Sequence, residues 1–363
     1  MSMQRILIMK DSKNERLEWI DISKGVAMVL VLIGHCMRDG MRTASPALDV
    51  ICRSVYVFHM PWFFWLSGYS YRLSRNRGRQ PLQIAGKRLR KQFPYWLLYT
   101  LFIFAAFMLA TAIPSLKNVL SGAGYERIGF GDYILSAFQA NNPWAFHLWF
   151  LLVLIIITVI VALADALFKG QHTAHVSIVL IVLGVAGQAC YDYISLGNWW
   201  RLYNFISLHL PIFCIGILLA DIKVSDKLAW IWGALGLAYI IVRVAGFSVF
   251  SGNSSRVTGW TRFAVYLARD MLLPGLMVCL GRIFEKGLLP ITAAGKRFFD
   301  FLGKESLTIY LWHQPFCCAF LGTLLYNKLH LPALLVMAIC FITSLCVPAT
   351  IVFIKKRARK YLK

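Results

Sequence analysis

The residues best suited to chemistry lie close to the start of the chain, in WIDISKGVAMVLVLIGH from Trp19 to His35. At about 3.6 residues per turn and about 1.5 Å rise, the step from Lys24 to His35 is about three turns and roughly 16 Å. Lys24 and His35 therefore fall on one helical face, and Asp21, three residues before Lys24, joins the same stripe. The other positions are mostly Val, Leu, Met and Ile. An ionisable group at mid-bilayer costs on the order of 3 kcal/mol or more, so such a stripe faces a protein interior or a wet cavity. An imidazole titrates near neutrality and suits a general base, while a lysine and a carboxylate can position groups at the inner mouth. The structural alternative makes Asp21 and Lys24 interfacial anchors and His35 a satisfied histidine near the opposite headgroups.

Further polar residues stand in later apolar runs. His59 and Ser67 lie eight residues apart in FHMPWFFWLSGY (58–69), near one face but about 12 Å apart along a helix, which argues against a Ser–His nucleophile pair. Pro61 can kink that helix, and Ser67 with Gly68 suits a close helix contact. KRLRKQFPYW (87–96) opens the next run, with Pro94 near its start. Its cations fit either positive-inside anchoring or the binding of a phosphate-bearing nucleotide. His147 sits in FHLWFL (146–151), whose aromatics also suit an interfacial belt. In GKESLTIYLWHQP (303–315), Ser306, Tyr310 and His313 recur at i, i+4 and i+7 and share a face, with Ser306 as an N-cap. His209, Arg243, Arg269 and Asp270 are also intramembrane; the last two, adjacent in sequence, point to different faces and need not pair.

Four of these stretches, in this order, resemble the integral-membrane acyltransferase family 3, and in particular its fucose 4-O-acetylase-like sugar O-acetylase branch. The I-D-x-x-K-G start, with a basic residue, ten intervening residues and histidine, is matched by Lys24 and His35. FHMP with FF-x-(L/I)-SGY, H-L-W-F-L and the late G-K-x-S-L-x-I-Y-L-x-H element are matched in the second, fourth and ninth runs. A basic-x-x-x-basic motif of the family is met by Lys87 and Lys91, whereas Arg88 and Arg90 depart from that spacing. The resemblance implies acetyl-CoA as acyl donor, a hydroxyl of an envelope glycan as acceptor, and a catalytic group of His35, Lys24 and Asp21. It further implies a donor site at Lys87, Arg88 and Lys91, with His59, Ser67, His147, Tyr310 and His313 as cavity residues. Between 170 and 300 it reduces to apolar character.

The elements that must position these groups follow from composition. The 363 residues are 59% hydrophobic and only 15% charged, too apolar for soluble domains. Runs long enough for a bilayer occur at 19–38, 51–71, 94–113, 144–167, 176–195, 203–221, 228–249, 263–284, 306–326 and 331–354. The expected fold is an all-α polytopic membrane protein of about ten transmembrane helices in a single domain, with a segment 1–18, a bundle 19–354 and a basic tail 355–363. The net charge of +22 could serve nucleic acid, an acidic substrate or anionic lipid. Its clustering in alternate gaps, above all 72–93 and the tail, against scattered outer cations such as Arg127 and Arg256, is the positive-inside pattern, placing both termini in the cytoplasm and making nucleic acid an unexpected partner. Three long loops are expected: 72–93, 114–143 and 285–305. MSMQRILIMKDSKNER has no apolar core with a cleavage site, so no removable signal is expected. The nine cysteines form no CxxC pair, and no metal is expected.

The chemistry expected of this arrangement is O-acetylation at a plasma or inner membrane, in a bacterium. A transporter using intramembrane His and Arg as a proton relay is the competing class, against which stands the lack of an inverted repeat. A non-catalytic partner of a glycan assembly system would leave the Lys24–His35 spacing without purpose.

Overall fold

In the computed structural model, which describes residues 17–122, 125–250 and 259–361, the apolar runs become helices. The first is α1 (Glu18–Cys36), then a short α2 (Asp39–Ala44), α3 (Pro46–Asn76) and α4 (Pro81–Ala112). Two short helices, α5 (Pro114–Gly122) and α6 (Phe130–Phe138), precede a 3₁₀ turn (Phe146–Leu148) that leads into α7 (Trp149–Leu167). There follow α8 (Thr173–Cys190), α9 (Trp200–Leu219), α10 (Asp226–Phe250), α11 (Gly259–Glu285) and α12 (Ala293–Lys304). The run after it is broken into α13 (Ser306–Trp312), π-turns at His313–Phe320 and Leu324–Lys328, and one α-turn between them; α14 (Ala333–Tyr361) closes the chain.

No strand occurs among the described residues, and eight helices among them are long and apolar enough to cross a membrane. The other two expected runs form α3, which carries charges at both ends, and the π-broken segment. The protein is an all-α polytopic membrane protein. Most of the expected segment 1–18, residues 362–363 of the basic tail, and Arg256 lie outside the described residues.

Burial separates central from peripheral helices. In α1 and in the span that includes α7, 61% of the apolar window is buried, against 22% in α4 and 28% in α14. The sequence of α7, WFLLVLIIITVIVALADAL, is apolar on every side, which suits a helix surrounded by others. Two crossings are made close by glycine. A Cβ on Gly68 of α3 would meet the Phe213 backbone of α9, and one on Gly216 would meet the Trp65 carbonyl in return. Gly25 of α1 and Gly303 of α12 interlock in the same way, against Phe299 and Asp21.

The three expected long loops are shorter than the sequence indicates. Only residues 77–80 separate α3 from α4, so all the basic residues of 72–93 except Arg77 and Arg79 ride on helices. α4 starts at Pro81, where a missing N–H costs nothing, and Gln83 Oε1 accepts from the Gln80 backbone N–H at 3.2 Å. Pro94 is thus inside α4, not at the start of a helix. The 114–143 stretch contains α5 and α6, and 285–305 contains the amphipathic α12.

A buried carboxylate holds the C-terminal end of α3 to the α7–α8 connection. Asp165, fully buried, accepts from Tyr71 Oη at 2.9 Å and Thr173 Oγ1 at 2.8 Å, and lies 3.0 Å from Arg75 Nε. Arg75 also donates to the Gly170 carbonyl at 2.7 Å.

Candidate active site

The stripe along α1 is the spine of the site. Lys24, Met28 and Val31 line one wall of a cavity of about 200 Å³, and His35 continues the stripe one turn beyond. Four cations face this cavity, Lys24, Arg88, Lys91 and Lys304, together with the hydroxyls of Ser67, Ser306 and Tyr310. No carboxylate is among its lining residues. Because α4 is helical from Pro81, Arg88, Lys91 and Gln92 share a face. Arg88 Nη1 donates to Thr158 Oγ1 on α7 at 3.0 Å, and Thr158 itself donates to the Leu154 carbonyl at 2.7 Å. The guanidinium is therefore anchored across two helices. Lys87 is exposed and outside this wall. Asp21 is buried where α12 crosses α1, beside the cavity but not among the residues that line it.

Above the cavity lies a cluster of histidines. His35 Nδ1 is 3.1 Å from Tyr56 Oη, and the His35 and His313 ring centroids are 5.2 Å apart. His313 in turn lies 6.0 Å from His147, and Tyr56 lies 5.1 Å from His59. Tyr310 donates its hydroxyl to the His147 carbonyl, tying α13 to the turn before α7. Three histidines share one local device. His59 Nδ1 lies 2.6 Å from the Val55 carbonyl, His209 Nδ1 2.7 Å from that of Phe205, and His313 Nδ1 2.8 Å from that of Tyr310. A carbonyl only accepts, so in each ring Nδ1 carries the proton and Nε2 is left as the basic atom. The π-turn that begins at His313, with Pro315 inside it, departs from α geometry where the rings meet; such turns concentrate at functional positions.

The structure thus joins Lys24, Ser67, Arg88, Lys91 and Tyr310 in one cavity and His35, His59, His147 and His313 in an adjoining cluster. It separates His59 from Ser67, which face different compartments. Ser306 is the first residue of α13 rather than its cap; Glu305 takes the cap position. Arg269 and Asp270 pair directly, Arg269 Nε donating to Asp270 Oδ1 at 2.8 Å. Their Cα–Cβ vectors do diverge, but both side chains are buried, and without water the long guanidinium arm folds back to the nearest carboxylate. Gln188 donates to the other carboxylate oxygen at 3.3 Å.

Some members of the site carry no signal in the sequence. Tyr56 precedes His59 by three residues in a run where it reads as core, and Thr158 is one hydroxyl in an apolar helix. Lys304, within the late GKESL element, reaches the cavity because Gly303 lets α12 lie directly on α1.

A second, larger cavity of about 370 Å³ lies between α3, α7, α9, α10 and α11, lined by Tyr56, Trp149, His209, Arg243 and others. Met60 lines both cavities and forms part of the partition between them.

Comparison with known proteins accords with this geometry. The acyltransferase family 3 pattern, described as an acyltransferase domain, matches residues 17–353. The chain is similar to nodulation protein NolL of Mesorhizobium japonicum (strain LMG 29417 / CECT 9101 / MAFF 303099), at 24% identity over 308 residues, 80% of this chain and 74% of that protein. No solved structure matches. A match that takes in α1, the cation-lined cavity, the histidine cluster and most of α14 makes this chain a member of the family 3 integral-membrane acyltransferases.

Proposed function

We propose that the protein moves an acetyl group from acetyl-CoA to a hydroxyl of a cell-envelope sugar, with the donor in the cation-lined cavity and His35 as general base. One observation carries this reading: Lys24, Met28, Val31 and His35 form a single stripe that runs from four cations to a cluster of imidazoles. Coenzyme A presents phosphates, which guanidinium forks and ammonium groups bind by charge-assisted hydrogen bonds. Arg88, held by Thr158, is pre-oriented for that role. Asp21, one turn before Lys24, acts as a positioning residue.

The chemistry is a direct transfer. Tyr56 accepts the Nδ1 proton of His35, so that Nε2 is free to take a proton from the acceptor hydroxyl. The acceptor oxygen attacks the thioester carbonyl, the C–S bond breaks, and the departing thiolate takes the proton from the imidazolium. The products are an O-acetyl sugar and coenzyme A, and the imidazole ends neutral. The positive-inside pattern supports a cytoplasmic mouth for the donor and an outer position for the histidines, in the plasma or inner membrane of a bacterium. Family membership favours this reading over a transporter.

The test is transfer of radiolabelled acetyl from acetyl-CoA to surface glycans in membranes, with mass spectrometry of the glycans for one added acetyl per sugar. His35→Ala is expected to insert normally and to lose transfer. Full retention of transfer would remove His35 from the mechanism.

A further inference from the structure

The larger cavity differs in chemistry from the donor cavity on the other side of Met60. At about 370 Å³ it has the size of a small-molecule site. Its wall is aromatic and aliphatic, and among the described residues that form it the only charged side chains are Arg53, Arg243 and Arg269. They come from three helices, α3, α10 and α11. Asp49 binds Arg53 at 2.6 Å and Asp270 binds Arg269, both from outside the wall, which orients these guanidiniums without bringing a carboxylate into the cavity. Cations within spanning helices are costly, and here three from different helices meet at one apolar space.

The aromatic surface is organised as well. Trp149 and Phe205 stack with centroids 4.0 Å apart, and His209 lies 5.4 Å from Trp149. Tyr56 lines this cavity and is also the hydroxyl that meets His35. A hydroxyl of a molecule held here therefore lies beside the partner of the general base.

We propose that this cavity is the acceptor site and that the acceptor carries a phosphate, as a sugar attached to a phosphate or to a prenyl phosphate. The word acceptor rests on the transferase reading; the ligand chemistry rests on the cavity alone. A phosphate offers several acceptor oxygens, enough to engage guanidiniums from more than one helix, and planar Arg forks match it better than ammonium groups do. The aromatic pair gives a platform for the apolar face of a sugar ring, and the aliphatic wall suits a prenyl chain.

The experiment uses the full chain in detergent, with quenching of tryptophan fluorescence as readout, since Trp149 is in the wall. Three probes are compared: geranylgeranyl phosphate, glucose 1-phosphate and geranylgeraniol. Both phosphates are expected to bind at least tenfold more tightly than the neutral alcohol. A further tenfold preference for the prenyl phosphate identifies a lipid-linked source, and equal affinity identifies a soluble sugar phosphate. Arg243→Gln should weaken both phosphates at least tenfold, whereas Arg88→Gln, in the other cavity, should leave them within twofold. If Arg243→Gln fails to fold, the Arg88→Gln comparison still decides which cavity holds the phosphate. Equal binding of alcohol and phosphate, no binding of either phosphate into the millimolar range, or weakening by Arg88→Gln alone would overturn the proposal. Acetyl-CoA binding is followed in parallel: its absence with phosphate binding intact would overturn the transferase reading and leave the ligand chemistry of this cavity standing.

Discussion

His35 and His313 face each other with ring centroids 5.2 Å apart and ring planes at 48°, one near the end of the first long helix and the other at the first π-turn of the broken segment. His313 gives its Nδ1 proton to the carbonyl of Tyr310, and its Nε2 is buried with no hydrogen-bond partner among the described residues. A buried basic nitrogen without a partner costs free energy that packing alone does not require. Beside His35 in the proposed role of general base it has a use: it can relay the proton that His35 would take up toward the leaving thiolate.

His313→Ala is therefore expected to lower acetyl transfer about a hundredfold, within the range of general acid–base contributions. Acetyl-CoA binding should stay within about twofold of wild type, because the cations proposed to hold the donor lie in the adjoining cavity. Single-turnover label transfer and equilibrium binding on the same preparation separate the two. A parallel loss of both would show that His313 acts through the fold.

The cavity proposed for the donor distinguishes two neighbouring cations. Arg88 lines it and is anchored by Thr158, while Lys87 is exposed and off the wall. Losing a charged hydrogen bond costs about 1.5–3 kcal/mol, so Arg88→Gln should raise KM for acetyl-CoA roughly ten- to a hundredfold. Lys87→Gln should change it by no more than about twofold, as for an ordinary surface site. The reverse order would mean that the sequence spacing of Lys87 and Lys91, and not the cavity, identifies the donor contacts.

The helices were legible because a bilayer demands about 20 apolar residues per crossing, a signal few other constraints imitate. The Lys24–His35 stripe was legible for a similar reason, since helical periodicity alone aligns positions eleven apart. What could not be read is whatever depends on contact between helices. Arg88 reads as one cation among several until α4 is laid against α7 and Thr158 meets it. Tyr56 reads as core until α1 and α3 bring it to His35. The basic stretch 72–93 reads as a loop because charge usually marks one, yet Arg and Lys are good helix formers, and α3 and α4 simply continue out of the apolar region. The Arg269–Asp270 pair was hidden because helical geometry separates adjacent Cβ atoms, whereas the partner of a long buried side chain is decided by desolvation.

Asp165 makes a prediction about stability rather than activity. Two helices converge on it, α3 through Tyr71 and Arg75 and α8 through Thr173. Asp165→Ala leaves the Arg75 guanidinium, only 10% exposed, without its counter-charge and two buried hydroxyls without their acceptor. Removing one member of such a buried ionic group costs about 3–5 kcal/mol. The thermal midpoint in detergent should fall clearly, and wild-type acetyl-CoA affinity should persist below it. A midpoint within about a degree of wild type would show that the network contributes nothing to the fold.

The crossing of α3 and α9 tests whether the site depends on how closely its walls approach. A Cβ at Gly68 would meet the Phe213 backbone, and the nearest relief is for the two helices to move apart. α3 carries Tyr56, Met60 and Ser67, and α9 carries Phe205 and His209, so that movement would widen the acceptor cavity and shift Tyr56 relative to His35. Overpacking costs about 1–3 kcal/mol, so Gly68→Ala should lower stability by that amount and Gly68→Leu by more. Gly131, where an added Cβ meets nothing within 4 Å, supplies the control: Gly131→Ala in α6 should be neutral or slightly stabilising. Thermal midpoints and label transfer measured across the three variants decide the matter. Wild-type transfer in Gly68→Leu would mean that the distance between α3 and α9 does not govern the chemistry.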